Sequence, residues 1–388
     1  MYKKHGQFYY SPSDLTRYME SPFASWMDRF STEQPEQVPQ RDPADALMTA
    51  LAQKGYAHED ALESSFVEQG LSLVKIEGES PDEKRAKTIE AMHEGVDVIA
   101  QARLELEQFG GYADFLVKVT HADVDKPSLL GDWHYEVWDT KLANRLKPVF
   151  VIQLCCYAEM LESIQGCRPE TITVVLGNGE KEKLRTGDFY YYYQTLKTAF
   201  LSDQNSFNPL AQPDPADSKI WGDWSGVAER LLLEKDHLFQ VATITKGQIK
   251  KLNKAGINTM QQLADLTLEN ISGINPIVLR KLKSQAAIQK KSSGGDIPKF
   301  EIIVPAAGEK SGLALLPPHS PLDVFFDIEG YPLDEGGLEY LWGCTYFNDQ
   351  NKRDFTDFWA HNREQEAGSR YFCESLFWAS QPKQAAKT

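Results

Sequence analysis

The chain has 388 residues, 41% of them hydrophobic and 25% charged, with a formal net charge of −15. That length favours two or three domains, and the balance is that of a globular protein with ample core material. The longest apolar runs, "VFVI" and "FLVKV", exclude a membrane-spanning helix, and the acidic total argues against a protein that coats nucleic acid.

Residues 11–30 open with Ser and Asp capping candidates and continue with Leu15, Tyr18, Met19 and Phe23 at helical spacing. Pro22 should divide this stretch into two helices. A polar, proline-bearing loop follows at 31–43. Residues 44–70 read as a helix with Leu47, Leu51, Gly55, His58 and Leu62 on one face, and 83–108 read as a second long helix. Residues 111–120 and 133–141 alternate like strands, with a hairpin between them around Asp125–Gly131. Residues 147–164 read as a helix, 170–179 as a third strand and 188–202 as a helix. The tyrosines 190–193 suit either base stacking or the packing of that helix on a sheet.

Prolines and aspartates mark 208–218 as a linker. Residues 243–291 read as short helices turning at Gly256 and Gly273, and "SSGGD" (292–296) is a second linker. Three strands, "PLDVFFDIEG", "EYLWGCTYF" and "DFTDFW", and a helix over about 361–380 complete the chain. The opening "MYKKHGQFYYSPSDL" lacks an apolar segment, so no secretory signal is expected. Five cysteines without a CxxC pair suit buried packing in a reducing compartment, and the cytoplasm is the expected location.

Charge is unevenly spread. Residues 243–291 hold nine basic residues, among them Lys246, Lys250, Lys251, Lys254, Arg280 and Lys281, against two acidic ones, a net of +7. A basic segment inside an acidic chain points to a polyanionic partner.

On a strand, Asp139 and Lys141 point the same way. If 111–120 pairs with 133–141, Asp114 lies beside Asp139. Two adjacent carboxylates repel unless a cation separates them. Mg²⁺ or Mn²⁺, which prefer oxygen ligands and keep open water positions, would do so. A lysine beside such a metal can orient water or stabilise charge on a phosphate. The pattern therefore favours metal-assisted phosphodiester hydrolysis. The alternative for Asp139–Lys141 is a surface ion pair, for His58 a core histidine, and for Gln153 and Tyr157 plain packing.

Asp114, then Asp139-Thr140-Lys141 at a strand end, then Gln153-x-x-x-Tyr157 on the next helix resembles the PD-(D/E)xK nuclease fold in its RecB-like branch. "KGYAHED" supplies the upstream histidine of that branch, His58, and "SPSDLTRYMESPFASW" resembles its opening helix. The resemblance implies that His58, Asp114 and Asp139 hold the metal and that Thr140 lends its backbone carbonyl. It implies that Lys141 serves the water or the phosphate, and that Gln153 and Tyr157 line the site and contact the substrate strand. Some relatives carry four cysteines that hold an iron–sulfur cluster. Here Ser21 precedes Pro22 and "DSKIWGDWSGVAER" has no cysteine, so no cluster is expected and Trp221 and Trp224 should hold that segment by packing.

Residues 243–291 resemble helix-hairpin-helix modules, whose glycine turns bring backbone N–H groups to a DNA phosphate. The alternative is a helical spacer that binds nothing. "DVFFDIEGYP" places Asp327 and Glu329 on one face and resembles the first motif of DEDD exonucleases of the ribonuclease H-like fold. It also resembles the domain that follows RecB-like domains in a family of predicted bacterial nucleases. Without further acidic elements before residue 388, that domain reads as incomplete, a second and partial metal site.

The expected organisation is a RecB-like domain (1–207), a linker (208–242), a helix-hairpin-helix-like module (243–291), a linker (292–320) and a partial ribonuclease H-like α/β domain (321–388). The expected function is an Mg²⁺- or Mn²⁺-dependent DNA nuclease acting on single strands or ends in repair, with a helicase as a possible partner. The alternatives are an idle DNA-binding scaffold and a DEDD exonuclease with a structural amino-terminal domain.

Overall fold

The computed structural model describes every residue except 44–45, 121–127, 296, 306, 309, 332–336, 349 and 381–388, and the side chains of 46, 313 and 372–380. The described chain is mixed α/β and divides into two compact units, Met1–Phe300 and Glu301–Thr388. The first part of the hairpin turn expected around 125–131, residues 125–127, lies outside the described residues.

The first unit begins with a two-stranded ribbon, β1 (Tyr2–Lys4) and β2 (Gln7–Tyr9), and the helices α1 (Pro12–Glu20) and α2 (Pro22–Glu33). Pro22 divides the two as expected, and Ser21 serves both ends: it closes α1 and its hydroxyl accepts the Ala24 N–H to start α2. A capping box of Ser11 and Asp14 starts α1. Helix α3 (Ala46–Glu68) and strand β3 (Leu73–Lys75) follow, then α4 (Pro81–Glu94).

The single helix expected over 83–108 is not formed. Gly95, with φ of 71°, ends α4, and Val98–Leu106 is strand β4. β4 is buried on both faces, so its sequence shows neither the strand period nor the helix period. Strands β5 (Phe109–Thr120) and β6 (Trp133–Lys141) pair antiparallel as expected. Helix α5 (Pro148–Gln165) then crosses over to β7 (Thr171–Leu176), which runs parallel to β6. A short strand not read from the sequence, β8 (Lys181–Arg185), closes the sheet, its exposed Lys181, Lys183 and Arg185 guarding the edge. Helix α6 (Thr186–Asn205) follows.

The sheet order is β3-β4-β5-β6-β7-β8. One face is covered by α1, α4, α5 and α6 around Leu15, Met92, Tyr135, Val137, Leu161 and Phe200. The other is covered by the carboxyl-terminal half of α3, through Leu62 and Phe66 against Val98, Ala100 and Phe115. Within the tyrosine run, Tyr190 and Tyr193 pack into the core, whereas Tyr191 and Tyr192 are exposed.

The segment read as a linker at 208–242 carries helix α7 (Ser225–Glu234) and packs on α2. Trp224 is fully buried against Phe23 and Met27, and its Nε1 donates to Asp28 Oδ1 at 3.0 Å. Ser21 and Ser218 meet by their hydroxyls at 2.8 Å. Helices α8 (Lys246–Lys254), α9 (Met260–Ala264) and α10 (Pro276–Ser292) close around Leu252, Ile257, Leu263, Ile274 and Leu282. Their turns need Gly256 and Gly273, at φ of 82° and 79°.

The second unit contains strands β9 (Phe325–Tyr331), β10 (Leu338–Phe347) and β11 (Arg353–Trp359), all antiparallel in the order β11-β10-β9, and helix α11 (Arg363–Ser380). A small cluster of Trp342, Cys344, Val324, Ile328 and Phe358 lines one face, while Phe325, Phe355 and Trp359 on the other stay exposed. Among the described residues no helix is long and apolar enough to cross a membrane.

Candidate functional site

The β5–β6 ladder ends with Phe115 opposite Trp138, so Asp114 and Asp139 fall at the next rung, where pairing stops. Strand alternation turns Asp139 to the same side as Val137, toward α5. Asp139 is only 1% exposed. Lys141 Nζ forms an ion pair with its Oδ2, and Gln153 Nε2 makes a long contact of 3.5 Å with its Oδ1. Asp114 turns its Oδ2 to Thr140, which donates both its backbone N–H, at 2.8 Å, and its hydroxyl, at 3.0 Å. Thr140 therefore acts here through its donors.

Burial pushes the Asp139 carboxyl up to about 7, the charge of Asp114 and a hydrogen bond with it push the same way, and Lys141 opposes them. The two carboxylates are thus close enough for the charge of Asp114 to act on Asp139. Burial disfavours the Lys141 ammonium, but Asp139, Asp114 and Glu59 outweigh it and hold its pKa above the usual lysine value. The Lys141 ammonium also stands over the Phe150 ring at 5.6 Å. A buried carboxylate needs a positive partner, and here that partner is Lys141.

His58 is half-buried on α3, and its Nε2 is shut off from solvent with no hydrogen-bond partner among the described residues. Among those residues, no three His, Cys, Asp or Glu side chains stand close enough to hold a metal as a group. The site thus brings together Asp114, Asp139, Thr140, Lys141 and Gln153, and leaves His58 outside a preassembled triad. Tyr157 lies deeper than expected. It is 4% exposed, its hydroxyl donates to the Tyr112 carbonyl at 2.7 Å, and burial raises its pKa well above the ordinary value. A side chain at Gly111 would collide with that hydroxyl. Tyr157 is a strut under the site and offers no surface to a substrate strand. Cys155 and Cys156 are fully buried, their thiols pushed up to about 12 chiefly by burial.

Two residues passed over in the sequence belong to the same place. Glu59, next to His58, is buried, and burial followed by the Asp114 charge raises its pKa despite a hydrogen bond from Gln101. Gln101 sits inside β4 with φ of 54° and donates its Nε2 to Glu59 Oε1. The adjacent pair in "HED" was a signal for Glu59; a backbone angle leaves no such trace in the sequence.

In the second unit, Asp327 and Glu329 are exposed. Register places Gly343 between Asp327 and Asp357, so a third carboxylate, unnoticed in the sequence, shares their face. In the basic segment, Lys250, Lys254, Arg280 and Lys281 are exposed. Lys246 instead reaches the Asp217 carbonyl and Lys251 the Gly273 carbonyl. No family model matches the chain, and no curated protein matches it.

Proposed function

We propose that the chain is a metal-dependent nuclease of the RecB-like PD-(D/E)xK kind that hydrolyses DNA phosphodiesters. The observation that carries this is the buried Asp139 carboxylate, held between Asp114 and Lys141 where the β5–β6 ladder ends. The donor set fits Mg²⁺ or Mn²⁺: two carboxylates short of positive charge, and a buried imidazole nitrogen with no hydrogen-bond partner among the described residues. Asp114, Asp139 and His58 would hold the ion. When bound, it supplies positive charge to the phosphate and lowers the pKa of a coordinated water.

The remaining work falls to the chain. Thr140 fixes one oxygen of Asp114, and Gln153 approaches one oxygen of Asp139. Lys141, kept charged by its acidic neighbours, can turn its ammonium from Asp139 Oδ2 to the substrate and stabilise negative charge growing on a phosphate oxygen. The Phe150 ring of α5 lies beside that ammonium. Residues 243–291 would act as a helix-hairpin-helix-like contact to the DNA backbone, with Lys250, Lys254, Arg280 and Lys281 facing phosphates.

The test is Mn²⁺-dependent cleavage of end-labelled single-stranded DNA by wild type, Lys141→Ala, Asp114→Ala and Asp327→Ala. Loss in the first two variants with activity kept in the third is the expected result. A second reading, a DEDD-type exonuclease, is favoured by Asp357 joining Asp327 and Glu329 on one sheet face. Loss only in Asp327→Ala would select it, and no cleavage by wild type would leave a DNA-binding scaffold.

A further inference from the structure

Among the described residues, six other than glycine have positive φ; His5, Glu107, Asp236, Thr243 and Asn351 lie in turns or bends, and only Gln101 lies within a strand. A long side chain in the left-handed region is disfavoured and persists only where its surroundings impose it. The β4–β5 ladder pairs Ala100 with Phe115 and Ala102 with Ala113, and skips the rung between, formed by Gln101 and Asp114. Both strands change face there. Val98 and Ala100 pack toward α3, whereas Ala102 and Leu104 pack toward α5. On β5, Phe115 packs toward α3 and Ala113 toward α5, again with the break at one residue, Asp114. Regular alternation would not allow this.

The irregularity has two products. It frees Asp114 from the β4 ladder, and the Asp114 carboxylate turns to Thr140. It also sends the Gln101 amide to Glu59, the neighbour of His58 on α3. We propose, resting on the metal-site reading above, that Gln101 is a positioning residue. Its strained backbone and its clamp on Glu59 together set Asp114 and aim the helical turn that carries His58. Glu59 serves as the anchor of the clamp through its carboxyl oxygen.

The test uses the full chain and reads Mn²⁺ affinity by titration calorimetry beside thermal unfolding without metal. Gln101→Gly removes the strain and the amide. It should leave the unfolding temperature equal or higher, since glycine accepts positive φ, yet weaken Mn²⁺ binding about tenfold, as loss of a supporting hydrogen bond at a metal site does. Gln101→Asn tolerates the backbone but falls short of Glu59, and should behave like Gln101→Gly. Glu59→Ala should match that loss, and the double variant should add little to either single change. Glu59→Gln keeps an oxygen to accept from Gln101 and should bind Mn²⁺ within about threefold of wild type.

Mn²⁺ affinity unchanged in Gln101→Gly, with Asp114→Ala still abolishing binding, would overturn the positioning role and leave the site reading standing. Glu59→Gln losing as much as Glu59→Ala would also overturn it, making Glu59 a ligand. No Mn²⁺ uptake by wild type would remove the site and this proposal together.

Discussion

Two pairs of charged residues stand two apart on a strand, Asp139 with Lys141 on β6 and Asp327 with Glu329 on β9, and they meet different fates. The first pair ends a strand packed on both faces, so Asp139 is buried and must be paired. The second lies on a three-stranded sheet with one open face, and both carboxylates remain in solvent. Asp139 has a strongly raised pKa, and its neighbours are committed to it. Asp327 accepts the N–H of Ile328, with no other hydrogen bond among the described residues. Spacing brings side chains to one face; the layers around that face decide whether they carry chemistry.

The contrast can be broken first at one aromatic residue in each sheet. Phe115→Ala, beside Asp114, should cost roughly 3–5 kcal/mol in denaturant unfolding. Phe355→Ala, on the exposed face of the three-stranded sheet, should stay within about 0.5 kcal/mol. Equal costs would show that the open face is covered in solution.

Next comes activity. Lys141→Ala should lower Mn²⁺-dependent cleavage by about 10²–10³-fold, and Asp327→Ala should change it less than about twofold.

The third contrast is acid–base. Asp139 holds its proton more tightly folded, with a pKa of about 7 against an ordinary 3.8. Its contribution to stability is therefore fully present below pH ~4 and is lost as pH rises through 7. The loss should be on the order of 4 kcal/mol in metal-free protein. Asp139→Asn should flatten that slope, measured by urea unfolding between pH 4 and 8.

The smallest effect concerns the basic segment. Lys250→Ala or Arg280→Ala should each reduce the salt dependence of DNA binding by about one unit of slope. Lys246→Ala, whose ammonium is already engaged by the Asp217 carbonyl, should alter it less.

Three of the six strands of the large sheet, β5, β6 and β7, were legible. Pro22 and Pro148 mark helix starts by removing a donor that a first turn does not need. Alternation located β5 and β6, and with them the meeting of Asp114 and Asp139. β4 was misread because burial on both faces erased its period, and the flanking helix α4 lent it a helical look. The depth of Tyr157 was hidden because Gln153 and Tyr157 share a helix face, yet only one of them reaches the open end of the strands. Gln101 was unreadable for another reason: its importance lies in a backbone angle and in the two strands around it. Asp357 required the register of β11 on β10, which no local pattern gives.

The belt formed by residues 215–232 over α2 bears on how the chain is made. Trp224 and Asp28 are bonded across 196 residues, and Ser21 and Ser218 across 197. Synthesis at about 5–20 residues per second therefore leaves Phe23 and Met27 without their covering tryptophans for roughly 10–40 s. During that interval the amino-terminal helices present an uncovered apolar stripe, until α7 emerges to seal it.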